Sequence, residues 1–594
     1  MTVKERIQLL REVMKAQNVQ ACIIPSTDPH ISEYTPEHWK TRKWISGFTG
    51  SAGTVVITSA KAGLWTDSRY FLQAADQLQD SGIELFKMGL PDTPSYSAWL
   101  ANELKENDII GIEGAVFAVS EAQSLIKFFT EKKINVKNDF APYNSIWENR
   151  PQLPASEIFI LSSQFSGLSS RDKIRQTLDA IRKEGAEQTV LASLDAIAWL
   201  FNIRGNDVEY NPVAVSYAFV SEKETVLFIN PEKLTDEVTS YLAGEGVTLV
   251  DYEKITDYVK HIPSGTKLLI TPSKINYQLY SAIPSDVAVV ETAVHPVDRL
   301  KSIKNETEIA GIRKAMQRDG VAMVRFLIDL EKTLASGEKI TEIDISEKLR
   351  YYRSGQEYYF GESFGTIAGY GAHGAIVHYG ATKESNAEIL PEGILLVDSG
   401  AQYFDGTTDI TRTLAVGEVT SEMKKDYTNV LKGHIALATA RFPQGTVGMQ
   451  LDTFARQFLW QNSTNYMHGT GHGVGHFLNV HEGPQNIRME YNPTPLQPGM
   501  ITSNEPGLYR ANAYGIRIEN LVLTVNAQTN EFGDFYAFET LTLCPIDNKL
   551  IDKSLLNDVE KAWLNSYHRT VYEQLSQFLS EDEKIWLKRQ TLEI

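Results

Sequence analysis

The chain has 594 residues, a formal net charge of -18, 42% apolar and 22% charged residues, 12 histidines and two cysteines. At about 150 residues per domain this length predicts three or four units, and the acidity excludes nucleic-acid backbones and anionic membranes as main partners, because both need basic patches. Cys22 and Cys544 are too few and too far apart in the chain for a disulfide framework or a thiolate metal site, so any metal must be held by histidines and carboxylates.

The N-terminal stretch MTVKERIQLLREVMKAQ predicts an amphipathic helix without an apolar signal core, and no run of 18 apolar residues occurs. A cytoplasmic protein that does not span a membrane is expected. Prolines at 149–154 and the stretch AVHPVDRLKSIK, 293–304, mark two breaks. They predict domains over 1–150, 151–300 and 301–545, followed by a C-terminal helical extension over 546–594. The first two segments alternate strand-like runs (TVVIT, LLITP, TVLFIN) with helical stretches, which predicts α/β layers. They are also weakly repeated. ACIIPSTDPHISEY leading to WISGFTG is echoed by TVLASLDAIAWLFNIRG, each a strand ending near Asp28 or Asp195, then a helical turn, then glycine. This pattern predicts a duplication. Nothing in the second segment suggests catalysis.

The third segment opens with a helix carrying Ile309, Ile312, Met316, Met323, Leu327 and Leu330 at core-facing spacing. A second helix, EMKKDYTNVLKGHIALATARF, follows residue 421. With the strands between them they predict an α+β domain of helices on a curved antiparallel sheet. The tail beyond Pro545, with KAWLNSYHRTVYEQLSQFL, is a helix that either docks a partner or packs on its own domain.

Chemistry concentrates in three stretches of this segment. In GILLVDSGAQYFDGTTDITRTLAV, 393–416, a hairpin turning near 403 and 404 would set Asp398 opposite Asp409, about 4.5–5.5 Å apart at Cβ. Carboxylates that close repel unless a cation lies between them. In TSNEPGLYRANAYGIRIENLVL, 502–523, Glu505 precedes a Pro-Gly turn and Glu519 lies in an apolar alternating strand, where burial is costly without a partner. Arg517, two residues earlier on the same face, is the local candidate for that partner. The third stretch, MHGTGHGVGHFLNVHEGP, 467–484, holds His468, His472, His476 and His481. Its first two histidines have the spacing of a zinc-binding helix, but Gly469 stands where that motif has its glutamate, and four alternating glycines disfavour a helix. A loop or bent strand passing close to something is expected. Two aspartates, two glutamates and histidine form an oxygen-rich set suited to Mn, Co or Zn. Five such ligands can hold two metals and a bridging water, which metal binding turns into a nucleophile.

These residues resemble a known family. VDSG, TTDITRT, HGTGHGVG, NEPG and GIRIEN are similar to the pita-bread metallopeptidases, the fold of methionine aminopeptidase, prolidase, creatinase and aminopeptidase P. STDPHISEY, GFTGSAGTVVIT, WTDSRYFLQAADQ, LDAIAWLFNIRG, AIVHYG, LNVHEGP and WLNSYH extend the resemblance, over nearly the whole chain, to the long three-domain cytosolic Xaa-Pro aminopeptidases. The resemblance implies two α/β creatinase-like N-terminal domains before a pita-bread catalytic domain. It implies two Mn ions, with Co or Zn as substitutes, held by Asp398, Asp409, His472, Glu505 and Glu519. His378 and His481 would line the substrate site and help stabilise the oxyanion, and His468 would support or shuttle protons. Arg69 would reach the peptide, unless it pairs locally with Asp67; His472 and Arg517 are also expected at the substrate site. His476 receives no role, and His373 and His434 are read as structural. The implied reaction is hydrolysis of the first peptide bond of peptides with proline second, by a metal-bridging hydroxide with Glu505 accepting its proton. The implied assembly is a homodimer, with the helical tail resembling the family's dimer-forming end. The alternatives are an Xaa-Pro dipeptidase (prolidase) and a non-catalytic peptide-binding module, which would be expected to have lost ligands.

Overall fold

A computed structural model describes the whole chain, residues 1–594. The chain divides into two compact units, Met1–Leu161 with Leu168–Asp298, and Ser162–Gly167 with Arg299–Ile594.

The first unit holds two six-stranded sheets. One runs in the order Glu84–Lys87, Ala62–Thr66, Thr54–Thr58, Ala21–Ile24, Ile109–Gly111, Asn135–Lys137. The other runs Val247–Val250, Thr225–Ile229, Ser216–Ser221, Gln188–Leu191, Lys267–Ile270, Ala288–Glu291. Counted from the first strand of each, both have the order 4-3-2-1-5-6. Polarity repeats as well. In both sheets strand one is antiparallel to two and two to three, while three–four, one–five and five–six are parallel. The weakly echoed segments supply strand one in each case, so the echo in the sequence is a repeat of topology. The central strands are apolar and β-branched because they are covered on both faces.

The second unit is built on the helix Glu306–Ser336. Asn305 caps it, with Glu308 returning the bond to the Asn305 N–H, and Gly337 ends it in the left-handed region. The predicted apolar stripe is buried from Ile312 to Leu330, with Ile309 half-buried. All the sheets of this unit are antiparallel. Ile367–Tyr370, Ile394–Ser399 and Ile410–Ala415 form one; Tyr359–Glu362, Ala401–Tyr403 and Gly406–Thr407 a second. A six-stranded sheet runs Arg441–Pro443, Gly533–Thr540, Asn520–Asn530, Ile501–Asn504, Gly471–Gly473, Glu482–Ile487. The helices Ser421–Ala438 and Gly448–Trp460 pack beside it.

The tail belongs to the same core. Its helix Asp558–Leu575 buries Leu564, Tyr567, His568, Val571 and Leu575 with Tyr427, Val430 and Ile516. Arg412, wholly buried, donates to the Tyr567 hydroxyl at 2.9 Å and to the Glu519 carbonyl at 2.6 Å. Most of the aromatic groups of the tail helix are therefore spent on packing within their own unit.

Candidate active site

The strand Ile394–Ser399 is interrupted at Gly400, where a Cβ would lie 2.0 Å from the Thr408 carbonyl. The returning chain resumes as Gly406–Thr407 and Ile410–Ala415. Tyr403 pairs with Gly406 and Asp398 with Thr411, so the turn falls on Phe404 and Asp405. This corrects the expected register. Asp398 faces Thr411, and Asp409 lies two positions along, in the gap between the two returning strands. The turn is one position later than predicted because Arg318 pairs with Asp405, and because a ring cluster of Tyr358, Phe360 and Phe477 packs Phe404.

Glu505 and Glu519 flank a second hairpin, Gly507–Arg510 with Tyr514–Arg517. Glu519 occupies the break between Tyr514–Arg517 and Asn520–Asn530 and is tied to the first hairpin. Its N–H donates to the Thr411 carbonyl at 3.1 Å, and the Thr411 hydroxyl donates to its Oε2 at 2.7 Å. His434 braces this junction, donating from Nδ1 to the Asn504 carbonyl and accepting from the Asn520 amide at Nε2, both at 3.1 Å. Burial, then the charge of Arg412, lowers its pKa to about 3, so it stays neutral. That matches its expected structural role.

Arg517 is not the partner of Glu519, a second correction. It is buried and donates to Asp398 Oδ2 at 2.6 Å, to the Tyr509 hydroxyl at 2.6 Å, to Thr411 Oγ1 at 3.2 Å and to the Val377 carbonyl at 3.4 Å. Its guanidinium is engaged by the framework, so it holds Asp398 rather than presenting itself to a substrate. Tyr509, which the sequence reading missed, continues the chain. Its oxygen accepts from Arg517, so its proton goes to His468 Nε2 at 2.8 Å, while His468 Nδ1 donates to the Gly469 carbonyl at 2.7 Å. The signal that could have found it is a tyrosine paired with a glycine, Gly515, two hairpin positions from Arg517 and so on the same face.

The glycines of the histidine-rich stretch permit close approach. It forms a short strand, Gly471–Gly473, and a Cβ on Gly471 would lie 2.0 Å from the Ser503 carbonyl. His472 Nδ1 donates to the Gly473 carbonyl at 2.9 Å, which in the neutral ring leaves the lone pair on Nε2. That nitrogen lies 3.5 Å from both Asp409 Oδ2 and Glu505 Oε1. One ligand atom each from Asp409, His472 and Glu519 lie within 4.8 Å of one another.

The electrostatics demand a cation. Asp398 Oδ1 and Glu519 Oε1 are buried without a hydrogen-bond donor, although burial normally requires one. Burial and then neighbouring carboxylates push Asp409 and Glu519 well above the usual carboxylate range. Burial likewise raises Glu505, to about 7, against the pull of Arg517. One arginine stands among four carboxylates and hydrogen-bonds only Asp398. A lone pair and several carboxylate oxygens converging at 3.5–4.8 Å repel one another, and divalent ions between them would turn that repulsion into ligation. The donor set therefore fits a metal.

Comparison with known proteins bears on the same point. Models of the creatinase/prolidase N-terminal domain match residues 6–141 and 149–308, that of metallopeptidase family M24 matches 310–526, and that of the C-terminal region of peptidase M24 matches 534–594. A probable Xaa-Pro aminopeptidase P of Coprinopsis cinerea is 43% identical over 99% of this chain and 98% of its own. The chain belongs to metallopeptidase family M24. Aminopeptidase P2 of Arabidopsis thaliana is 41% identical over 97% of this chain and 86% of its own. The X-prolyl aminopeptidase of Caenorhabditis elegans, described as a cytosolic enzyme with a di-nuclear active site, is 35% identical and superposes over 100% of both chains with a TM-score of 0.95. An Xaa-Pro dipeptidase from Bacillus anthracis shares the fold over 99% of its own chain but 64% of this one, with 24% identity and a TM-score of 0.51.

As an M24 metallopeptidase the chain is a hydrolase, with two creatinase-type N-terminal domains ahead of the pita-bread M24 domain. No helix is long and apolar enough to cross a membrane. The remaining predicted residues of this M24 chain are placed as follows. His481 stands beside His472, ring centroids 4.4 Å apart at 75°. His378 is half-buried and follows Val377, whose carbonyl accepts from Arg517. His476 is buried, its Nε2 3.4 Å from where a Cβ on Gly311 would be. His373 binds Glu342 through Nδ1 at 2.8 Å. Arg69, in the other unit, makes a two-pronged pair with Asp67, both bonds 2.8 Å.

Proposed function

We propose that this M24 hydrolase removes the first residue from peptides with proline in second position, using two divalent ions, Mn in the first instance with Co or Zn as substitutes. The supporting observation is the full-length likeness to chains described as Xaa-Pro aminopeptidases, which extends over both N-terminal repeats as well as the site. Asp398, Asp409, His472, Glu505 and Glu519 would hold the ions. When bound, such ions supply water activation and polarisation of the scissile carbonyl.

The chain's own residues supply the rest. Glu505 is the proton carrier of this scheme. The Glu505 side chain is 17% exposed, against 11% for Asp398 and 5% for Asp409, so of these it is the one most open to a substrate. Ser503 donates to Glu505 Oε1 at 3.1 Å and also accepts from the His472 backbone N–H at 2.9 Å, which ties the proton carrier to the backbone that carries the ligand ring. His481 and His378 would donate to the peptide carbonyl as charge develops on its oxygen. His468 acts through Tyr509 on Arg517. The X–Pro bond needs such a dedicated site because its nitrogen carries no hydrogen and the residue before proline is conformationally restricted.

Release of the first residue from X-Pro-Y-Z peptides, with and without added Mn, tests this reading. Cleavage confined to X-Pro dipeptides would replace it with a dipeptidase; no cleavage under either condition would remove both.

A further inference from the structure

The segment that carries His481 is anchored by buried charges that the proposed reaction does not use. Glu482 follows His481, and none of its side chain is exposed. Lys301 Nζ donates to its Oε2 at 2.7 Å and Lys304 Nζ donates to its Oε1, and these lysines are 2% and 1% exposed. Lys304 also donates to the Lys301 backbone carbonyl at 2.9 Å, which fixes its ammonium group against the segment that carries Lys301.

The backbone of Glu482 is held from the other side. The ladder between Gly471–Gly473 and Glu482–Ile487 changes register here, His472 pairing with Asn486 but Gly473 with Glu482. A Cβ on Gly473 would lie 2.3 Å from the Glu482 carbonyl, so the two chains touch at the residue after His472 and the residue after His481. A bulge of this kind re-aims side chains but interrupts the ladder that would hold them. Here the lysine pair supplies the missing restraint.

Three buried charges are a poor source of stability, because their desolvation offsets most of their attraction. What they provide is geometry. We propose that Lys301, Glu482 and Lys304 form a positioning clamp that sets His481 against His472, and that they act on catalysis only through His481. This rests on the reading of His481 as a group that meets the peptide carbonyl.

The test is a mutant cycle in the full-length, metal-loaded enzyme, with kcat, KM and metal content measured on an X-Pro peptide. Lys301→Met leaves a one-to-one Lys304–Glu482 pair; Glu482→Gln removes the charge at the centre. Each is made alone and with His481→Ala. The expected result for each alone is a fall in kcat of about 10–100-fold, as for other lost outer partners, with KM and metal content nearly unchanged. With His481 already replaced, the further loss should be under about twofold, the margin within which independent effects are resolved. Equal losses in both backgrounds would overturn the clamp. Should Glu482→Gln fail to fold, the Lys301→Met cycle decides alone. If His481→Ala by itself leaves kcat unchanged, the reading of His481 fails and takes the clamp with it, an outcome distinct from equal losses.

Discussion

Two groups of buried carboxylates in the second unit differ in one respect. Asp319 and Glu362 surround Arg353, and every oxygen has a donor. Arg353 donates to Asp319 at 2.9 and 3.2 Å and to Glu362 at 3.4 Å, Tyr403 donates to Asp319 at 3.1 Å, and Tyr359 donates to Glu362 at 2.7 Å. Asp398, Asp409, Glu505 and Glu519 also have one arginine, yet Asp398 Oδ1 and Glu519 Oε1 are buried with no donor. Buried acids alone do not make a site. A deficit of protein donors beside a histidine lone pair does, because protons or a metal cation taken from outside the chain must balance it.

The largest expected effect separates the two groups outright. Asp409→Asn should lower kcat by about a thousandfold or more, since several kcal/mol of charge stabilisation are lost at tenfold per 1.36 kcal/mol. Bound metal should fall with it, whereas Asp319→Asn should keep its metal and most of its kcat. Peptide release and metal analysis on both variants check this, and equal losses would erase the contrast. Next, Arg353→Met strands two buried carboxylates and should cost about 3–5 kcal/mol of stability, read by urea unfolding, while metal content is retained. Arg517→Lys, unable to serve Asp398, Tyr509 and Thr411 together, should cost about 10–100-fold in activity or metal affinity.

A pH series sharpens the comparison. In chelator-treated protein, burial raises the Glu505 pKa from 4.5 to about 7, so between those values the native state binds more protons than the unfolded one. Its contribution to stability is complete below pH 4.5 and is lost as pH rises through about 7. Thermal melts across that window should show the chelated protein weakening with rising pH and the gain from added Mn widening. A gain independent of pH would show that these carboxylates do not take up the ion. Tyr509→Phe removes the hydrogen bond to His468 and the one accepted from Arg517, and should cost about 2 kcal/mol, roughly thirtyfold in kcat.

Much of this was legible in the chain because it is local. Asp398, Asp409, Glu505 and Glu519 stand out as acids in apolar or turn-bounded strands, and the alternating glycines around His472 announce close backbone approach. The Asp398–Asp409 register was missed because it depends on a turn set by Arg318 and by an aromatic cluster drawn from three stretches of chain. The partner of Arg517 was missed because it lies 119 residues away. Neighbouring positions on one strand are a natural guess, but a buried guanidinium goes where unserved carboxylate oxygens are.

The amino-acid sequence by itself determined the family, the repeated α/β halves, the helix that opens the second unit and the candidate acids and histidine, of which Asp409, His472, Glu505 and Glu519 lie together in the structure. These follow from residue types and short spacings, which survive without knowledge of distant contacts. The tertiary structure alone decided which charges are balanced and which are not: that Arg517 serves Asp398, that Tyr509 links it to His468, that the tail joins the catalytic core, and that two lysines hold Glu482. Charge balance in a buried site is a sum over groups far apart in the chain, and only folding brings the terms together.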